Sequence, residues 1–238
     1  VGSVRCVLET VLLMGSGADL IATRVGASRE DCDAVALLSQ QRAAQAQQEG
    51  RFQSIIPIET SEGLISEDEC IRADMTAERL ARLPAAFAEL GAAGADQLQL
   101  AKFSELGAIE HVHTMGNSPT MCDAGALVLL GDAALGESLG IAPKARLVTS
   151  TTASGEPLEV VSGCVTVTEA LLVDQSLRAR DIDLFEIHEA FAATVVKTRQ
   201  ALDIDDSLLN VNGGVIALGH PMGATGAIMT GTLIDELH

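Results

Sequence analysis

An α/β fold, built on a mostly parallel sheet with helices on both faces, is what this sequence predicts. Two observations carry the prediction. From residue 124 onward, apolar runs of strand length alternate with helical segments, and a hydrophobic content of 47% in 238 residues can fill one large or two modest cores. A β-α-β-α-β-α order links neighbouring strands through helices, and such crossovers make the strands parallel while covering the sheet. Residues before 109 read as mainly helical instead.

Each element has its own local signal. Ser28 and Asp31 form a capping-box start, and the polar, Ala-rich run from Arg29 to Glu49 stops at Gly50, the usual left-handed helix end. Within that run Cys32, Val35, Ala36, Ala43 and Ala46 recur near helical spacing, so Cys32 reads as core packing. Phe52 to Ile58 alternates toward a short strand, Thr60 to Asp74 is acidic and irregular, and Thr76 opens a helix that Pro84 limits. Residues 85–107 show no clear period. Ile109 to Thr114 reads as a strand with His111 and His113 on one face. A His-x-His pair can bind metal, but no third ligand of suitable type is near in sequence, so no metal is assigned and both are treated as satisfied polar residues at a sheet edge. Ala124 to Leu130 reads as a buried apolar run, Asp132 to Leu139 as a short helix closed by Gly140, and Ala145 to Thr152 as a strand. Thr166 to Ser176 is helical, Asp183 to Ile187 a strand, Glu189 to Leu202 a helix, Val211 to Leu218 a mostly apolar strand, and Gly223 to about Leu237 a helix.

Charge and cysteine usage narrow the function. A formal charge of −18, with only 15 Lys and Arg, argues against broad nucleic-acid binding, which needs a basic stripe. No run of eighteen apolar residues offers a membrane span, and no leader with a small-residue cleavage site opens the chain. Five cysteines without a Cys-x-x-Cys or regular spacing fit free thiols in a reducing compartment, so the expected location is the cytoplasm. The opening Val1-Gly-Ser-Val-Arg fits a fragment better than a leader peptide.

One run carries more chemistry than any other: Asn210-Val-Asn-Gly-Gly-Val-Ile-Ala-Leu-Gly-His220-Pro-Met-Gly-Ala-Thr-Gly226. It puts a histidine where a glycine-rich loop enters a helix, near the positive end of the helix dipole and its free N–H groups, which favour an anion or a developing oxyanion. The run resembles the Gly-His-Pro signature of thiolases. A second block, Asp181-Ile-Asp-Leu-Phe-Glu-Ile-His188-Glu189-Ala190-Phe191, is similar to the family's Asn-Glu-Ala-Phe loop in its His-Glu-Ala-Phe version. Ser28-Arg-Glu-Asp-Cys-Asp with Ser39-Gln-Gln-Arg, His111-Val-His-Thr-Met-Gly-Asn117-Ser118, and Leu139-Gly-Ile-Ala-Pro-Lys-Ala-Arg146 resemble further family blocks in the right order.

The resemblance implies a layered thiolase-like fold with residues 1–108 as a helical loop domain over the active site. Residues 109–143 would be a remnant of an N-terminal lobe that is largely missing, and 144–238 a C-terminal lobe incomplete at its end. It implies an acyl-CoA acyltransferase that forms or cleaves the carbon–carbon bond of a 3-oxoacyl-CoA, with coenzyme A as substrate and no cofactor. The candidate catalytic residues are His220 and His188, as donors to oxyanions, and Glu189, which reads as fixing the loop rather than moving a proton. Asn117, Ser118 and Gly219 are the candidates for substrate and coenzyme A binding, although Pro119 stands where a coenzyme-contacting Ser is usual. A homo-oligomer, and a partner subunit of a β-oxidation complex, are the partners the resemblance suggests.

The sequence departs from the family at the cysteines. Thiolases use a nucleophile in Cys-x-Ser and a base in Cys-x-Gly. Here Cys6, Cys32, Cys70, Cys122 and Cys164 are followed by Val-Leu, Asp-Ala, Ile-Arg, Asp-Ala and Val-Thr. The 238-residue chain alone is therefore expected to be inactive. A non-catalytic coenzyme A binding or assembly subunit is the alternative reading.

Overall fold

A computed structural model describes residues 12–238, and Cys6 lies outside the described residues. Helix α1 (Met14–Val25) ends at Gly26, which takes the left-handed conformation and returns its N–H to Thr23. The sequence did not announce this helix. Helix α2 (Arg29–Gln48) has the expected capping box, in which the Ser28 and Asp31 side chains each accept the other's backbone N–H. Gly50, just past its end, has φ 67 as a stop requires.

The expected strand at 52–58 is confined to its last residue: the hairpin pairs β1 (Ile58–Thr60) with β2 (Gly63–Ile65), antiparallel and exposed. Thr76 caps the short helix α3 (Ala77–Ala81) as expected. After a turn at Ala88–Leu90 and a wide turn through Gly91–Ala95, α4 (Asp96–Lys102) supplies the order that 85–107 lacked in periodicity. Asp132 caps α5 (Ala133–Leu139), which ends at left-handed Gly140. Helices α6 (Gly163–Asp174) and α7 (Ala192–Leu202) also fall where the sequence put them.

The centre of the fold is α7. It packs against α1, α2 and α6, and Ala192, Ala193, Val195 and Val196 are buried. Ile21, Ala22, Cys32, Ala36, Leu80, Val112 and Ile216 close around it. The small Ala side chains let helix axes approach closely, which is how a chain with five Phe, no Trp and no Tyr makes a dense interior. Beneath α1, the buried Glu159 carboxylate binds Lys197 at 2.5 Å and also pairs with Arg24.

Parallel pairing is present but short. Phe185 and Leu209 make a single parallel bridge, with Phe185 donating to Leu208 at 2.7 Å and Asn210 donating to Phe185 at 2.8 Å. The chain between them contains α7, so a strand–helix–strand crossover is present, one bridge wide, with Leu209 rather than the expected Val211 to Leu218 on its second side. Asn210 extends the pairing with its side chain, accepting from Ile187 N–H and donating to Ile187 C=O. A second parallel bridge joins Met121 to His220.

Four expectations need correction. Val211 to Leu218 is not a strand: it turns at Gly213 (φ 76) and forms the short helix α8 (Val215–Leu218). Burial on all sides makes so brief an apolar run indistinguishable from a strand by periodicity. Ile109 to Thr114 is irregular, and His113 is fully buried and His111 half-buried rather than at a sheet edge. Ala124 to Leu130 is exposed, with Leu127 at 95%, and Ala145 to Thr152 forms no strand. Apolar side chains there meet no covering layer among the described residues.

Candidate functional site

His220 follows Gly219, whose φ of 87 and ψ of 165 suit only glycine. The His220 N–H donates to Thr120 C=O at 2.7 Å, and its Nδ1 lies 2.7 Å from Thr225 Oγ1, the first residue of α9 (Thr225–Glu236). The loop's own helix thus orients the ring, as the sequence placed it. With the Thr225 hydroxyl donating to Nδ1, the ring proton sits on Nε2, the tautomer we assign.

His188 arrives from the end of the Phe185 pairing, and the two rings lie 4.6 Å apart between centroids, tilted by 47°. Burial, then the neighbouring His220, pushes the His188 pKa down to about 4; burial also lowers that of His220. Both rings are therefore neutral at about pH 7. The His188 Nδ1 atom is buried without a hydrogen-bond partner. A neutral imidazole with an open ring nitrogen is a polar group waiting for a ligand atom.

Glu189, next in sequence, points the other way into the protein. Its carboxylate accepts from Ser39 Oγ at 2.8 Å, Ile216 N–H at 3.1 Å and Asn210 Nδ2 at 3.2 Å. Burial nevertheless raises its pKa. A Cβ on Gly214 would sit 2.3 Å from the Glu189 carboxyl carbon, so the glycine lets the backbone close over the acid. Glu189 ties the His188 loop, α2 and the glycine turn into one body. Neighbouring Glu186 has its carboxyl pushed up to about 8, by burial and then by Glu189.

Asn117 and Ser118 lie on the segment that leads to Thr120, beside His220. The Asn117 amide makes three buried hydrogen bonds: Oδ1 accepts from Thr114 N–H, and Nδ2 donates to Asp33 and to Val112 C=O. Its backbone C=O receives Ala192 N–H at the start of α7. Both amide protons are thus used and the side chain is fully buried, which leaves Asn117 no donor for a ligand. Ser118 differs, since its hydroxyl is buried and unpartnered.

Several contributors escaped the sequence analysis. Thr120 and Thr225 hold His220, and Ser39 and Asn210 hold Glu189. Buried Asp19 accepts from His111 Nδ1 at 2.8 Å, from His113 Nδ1 at 2.7 Å, and from the N–H groups of Val112 and His113. His113 Nε2 then receives Ala193 N–H at 3.3 Å, capping the buried start of α7 with a ring nitrogen. Long sequence separation hid most of these links, although Thr225 and Asn210 stand in the same motif as His220 and Ser39 in another family-like block.

A cavity of about 130 Å³ lies behind Glu189, lined by Ser39, Arg42, Leu209 and Asn210. It is smaller than ordinary ligand pockets of about 300–1,000 Å³, and neither histidine lines it. Among the described residues, no group of three or more His, Cys, Asp or Glu is placed to hold a metal, and no helix is long and apolar enough to cross a membrane.

Comparison with known proteins decides the family. The family model described as Thiolase, N-terminal domain matches residues 3–101, and that described as Thiolase, C-terminal domain matches residues 141–238. This chain belongs to the thiolase family. The 3-ketoacyl-CoA thiolase of Bacillus subtilis (strain 168) is 36% identical over 244 residues, covering 96% of this chain and 57% of the relative. The acetyl-CoA acetyltransferase of Synechocystis sp. is 36% identical, over 94% of this chain and 53% of the relative. The crystal structure of human mitochondrial 3-ketoacyl-CoA thiolase in complex with CoA superposes with a TM-score of 0.80 at 31% identity, covering 95% of this chain and 52% of that one. The thiolase fold is therefore shared, and this chain spans about half the length of the thiolases it matches.

Proposed function

We propose that His188 and His220 are the oxyanion-stabilising pair of a thiolase-type acyltransferase, one that makes or breaks the carbon–carbon bond of a 3-oxoacyl-CoA. The observation that carries this is the pair itself: two neutral imidazoles in contact, one fixed by Thr225 and the other with a buried, open Nδ1. In that reaction an acyl thioester passes through tetrahedral oxyanions, and the second thioester passes through an enolate. A preorganised N–H donor in a site shielded from water is worth about 3 kcal/mol of barrier. Neutral rings donate without presenting a buried cation that would hold the product anion too tightly. Glu189 contributes by fixing the loop, and Ser118 is the better candidate than Asn117 for a substrate contact.

A cysteine outside this sequence would supply the nucleophile, forming an acyl-cysteine, and a second would exchange the proton at the α carbon. Coenzyme A is a substrate in this reading, and no metal or other cofactor takes part. The setting is cytoplasmic, and the parent protein is a homo-oligomer. The alternative, a non-catalytic coenzyme A binding or assembly subunit, is favoured by one observation: no Cys-x-Ser or Cys-x-Gly occurs in these 238 residues. Thiolysis of 3-oxoacyl-CoA, followed as a function of both substrates, separates the two. Ping-pong kinetics with an acyl-enzyme mass adduct supports the acyltransferase. Coenzyme A binding without turnover, in a polypeptide that carries both cysteine segments, supports the subunit.

A further inference from the structure

Two cysteines that the proposed chemistry does not use meet at the histidine loop. The Sγ atoms of Cys122 and Cys70 lie 2.6 and 3.0 Å from the point where a Cβ on Gly219 would sit, so both occupy the space that this glycine leaves open. They are within hydrogen-bonding reach of each other and only partly buried. Their surroundings are anchored. Cys70 N–H donates to Asp68, and Arg72 N–H donates to Gln40 on α2 at 2.7 Å. On the other side, Thr120 C=O accepts His220 N–H and Met121 bridges His220.

We propose that Cys70 and Cys122 are a reversible dithiol–disulfide pair, oxidised by small-molecule disulfides such as oxidised glutathione, whose closure clamps the Gly219–His220 loop. One protein thiolate attacks a sulfur of the oxidant and expels a glutathione thiolate. The second thiolate attacks the mixed disulfide and expels the other. Overall, two protein thiols become one disulfide, and one glutathione disulfide becomes two glutathione thiols. Cys32 is fully buried and Cys164 is half-buried, and among the described cysteines the two thiols that meet beside Gly219 are Cys70 and Cys122.

The environment sets the pH dependence. Cys70 faces Asp68, Glu69, Arg72 and Cys122, while Cys122 faces Cys70, Asp68 and Asp123. Burial is the main cause that raises both thiols; Asp68 adds to it at Cys70, and the Cys70 thiol adds to it at Cys122, which is pushed up to about 11. The reactive thiolate is scarce at neutral pH, and closure accelerates by about tenfold per pH unit below that value. Such a switch goes beyond the acyltransferase reading and does not need it.

The test treats the protein with oxidised glutathione and maps tryptic peptides without reduction. The expected product joins the peptide of residues 52–72 to that of residues 103–144, and a dithiol reductant reverses it. Amide hydrogen exchange at His220 should slow by about tenfold or more in the oxidised form. Cys122→Ser should leave Cys70 as a single glutathione adduct. Free thiols at both positions, or separate adducts on each in the wild-type protein, would overturn the pair. A cross-link with unchanged exchange at His220 would overturn the clamp. None of these readouts involves turnover, so they succeed or fail independently of the thiolase reaction.

Discussion

At the scale of single residues, neighbouring positions in one motif take opposite roles. His188 and Glu189 are adjacent in sequence, yet one ring is open at Nδ1 and the other side chain is consumed by three donors. A neutral His188 is the sharper claim. Histidine titration by NMR should place it at about 4, well below an ordinary value of about 6.5, with His220 shifted in the same direction. A normal titration for His188 would remove the burial on which its oxyanion role rests. Asn117 gives a contrasting prediction. Asn117→Ala leaves Thr114 N–H and the Asp33 carboxylate without their buried partner, so it should cost about 1–3 kcal/mol in chemical denaturation. Loss of coenzyme A affinity at unchanged stability would return Asn117 to the binding site.

Elements were legible where their signals are local. The Ser28 capping box, the Gly50 and Gly140 stops and the caps at Thr76 and Asp132 lie within a few residues of the backbone groups they satisfy, and all are where the sequence put them. Helix α1 gave no comparable signal, because its N-cap is Leu13 with no side-chain bond and its order comes from packing on α7 and the Pro157–Glu159 turn. The 211–218 run failed for a different reason: a segment buried on every side has no period to read. Likewise the contact between His188 and His220 depends on α7 returning the chain beside Phe185, which spacing alone does not disclose. Only the family resemblance put both rings in one site before the structure did.

The link between α1 and α4 also has a pH dependence. His111 sits between Asp19 and Asp96, at 2.8 and 3.2 Å. Burial lowers its pKa, but the hydrogen bonds and charges of Asp19 and then Asp96 outweigh it, and the net shift is upward. A raised folded pKa means that the protonated ring stabilises the fold fully below about pH 6.5, and that this contribution disappears as pH rises through the folded value. Denaturation midpoints of wild type and His111→Gln should therefore differ most in acid and converge in alkali. A difference that grows with pH would contradict the pairing.

For the whole molecule, the exposed stretch from Met121 to Val148 is the dominant feature. Leu127, Leu129, Leu130 and Leu147 are largely exposed, in a chain that spans about half the length of its relatives. Apolar surface of this extent drives association, so sedimentation of the 238-residue chain should show self-associated species whose share rises with concentration. A monodisperse monomer with sharp cooperative unfolding would contradict that reading. The central claim, that His220 with His188 stabilises the oxyanions of thiolase chemistry, has its most direct test in one assay. It is the kcat for 3-oxoacyl-CoA thiolysis by a polypeptide that joins this chain to Cys-x-Ser and Cys-x-Gly segments, with the 238-residue chain as the expected inactive control. His220→Ala should lower that kcat by about a hundredfold or more. Undiminished turnover in His220→Ala would contradict the account.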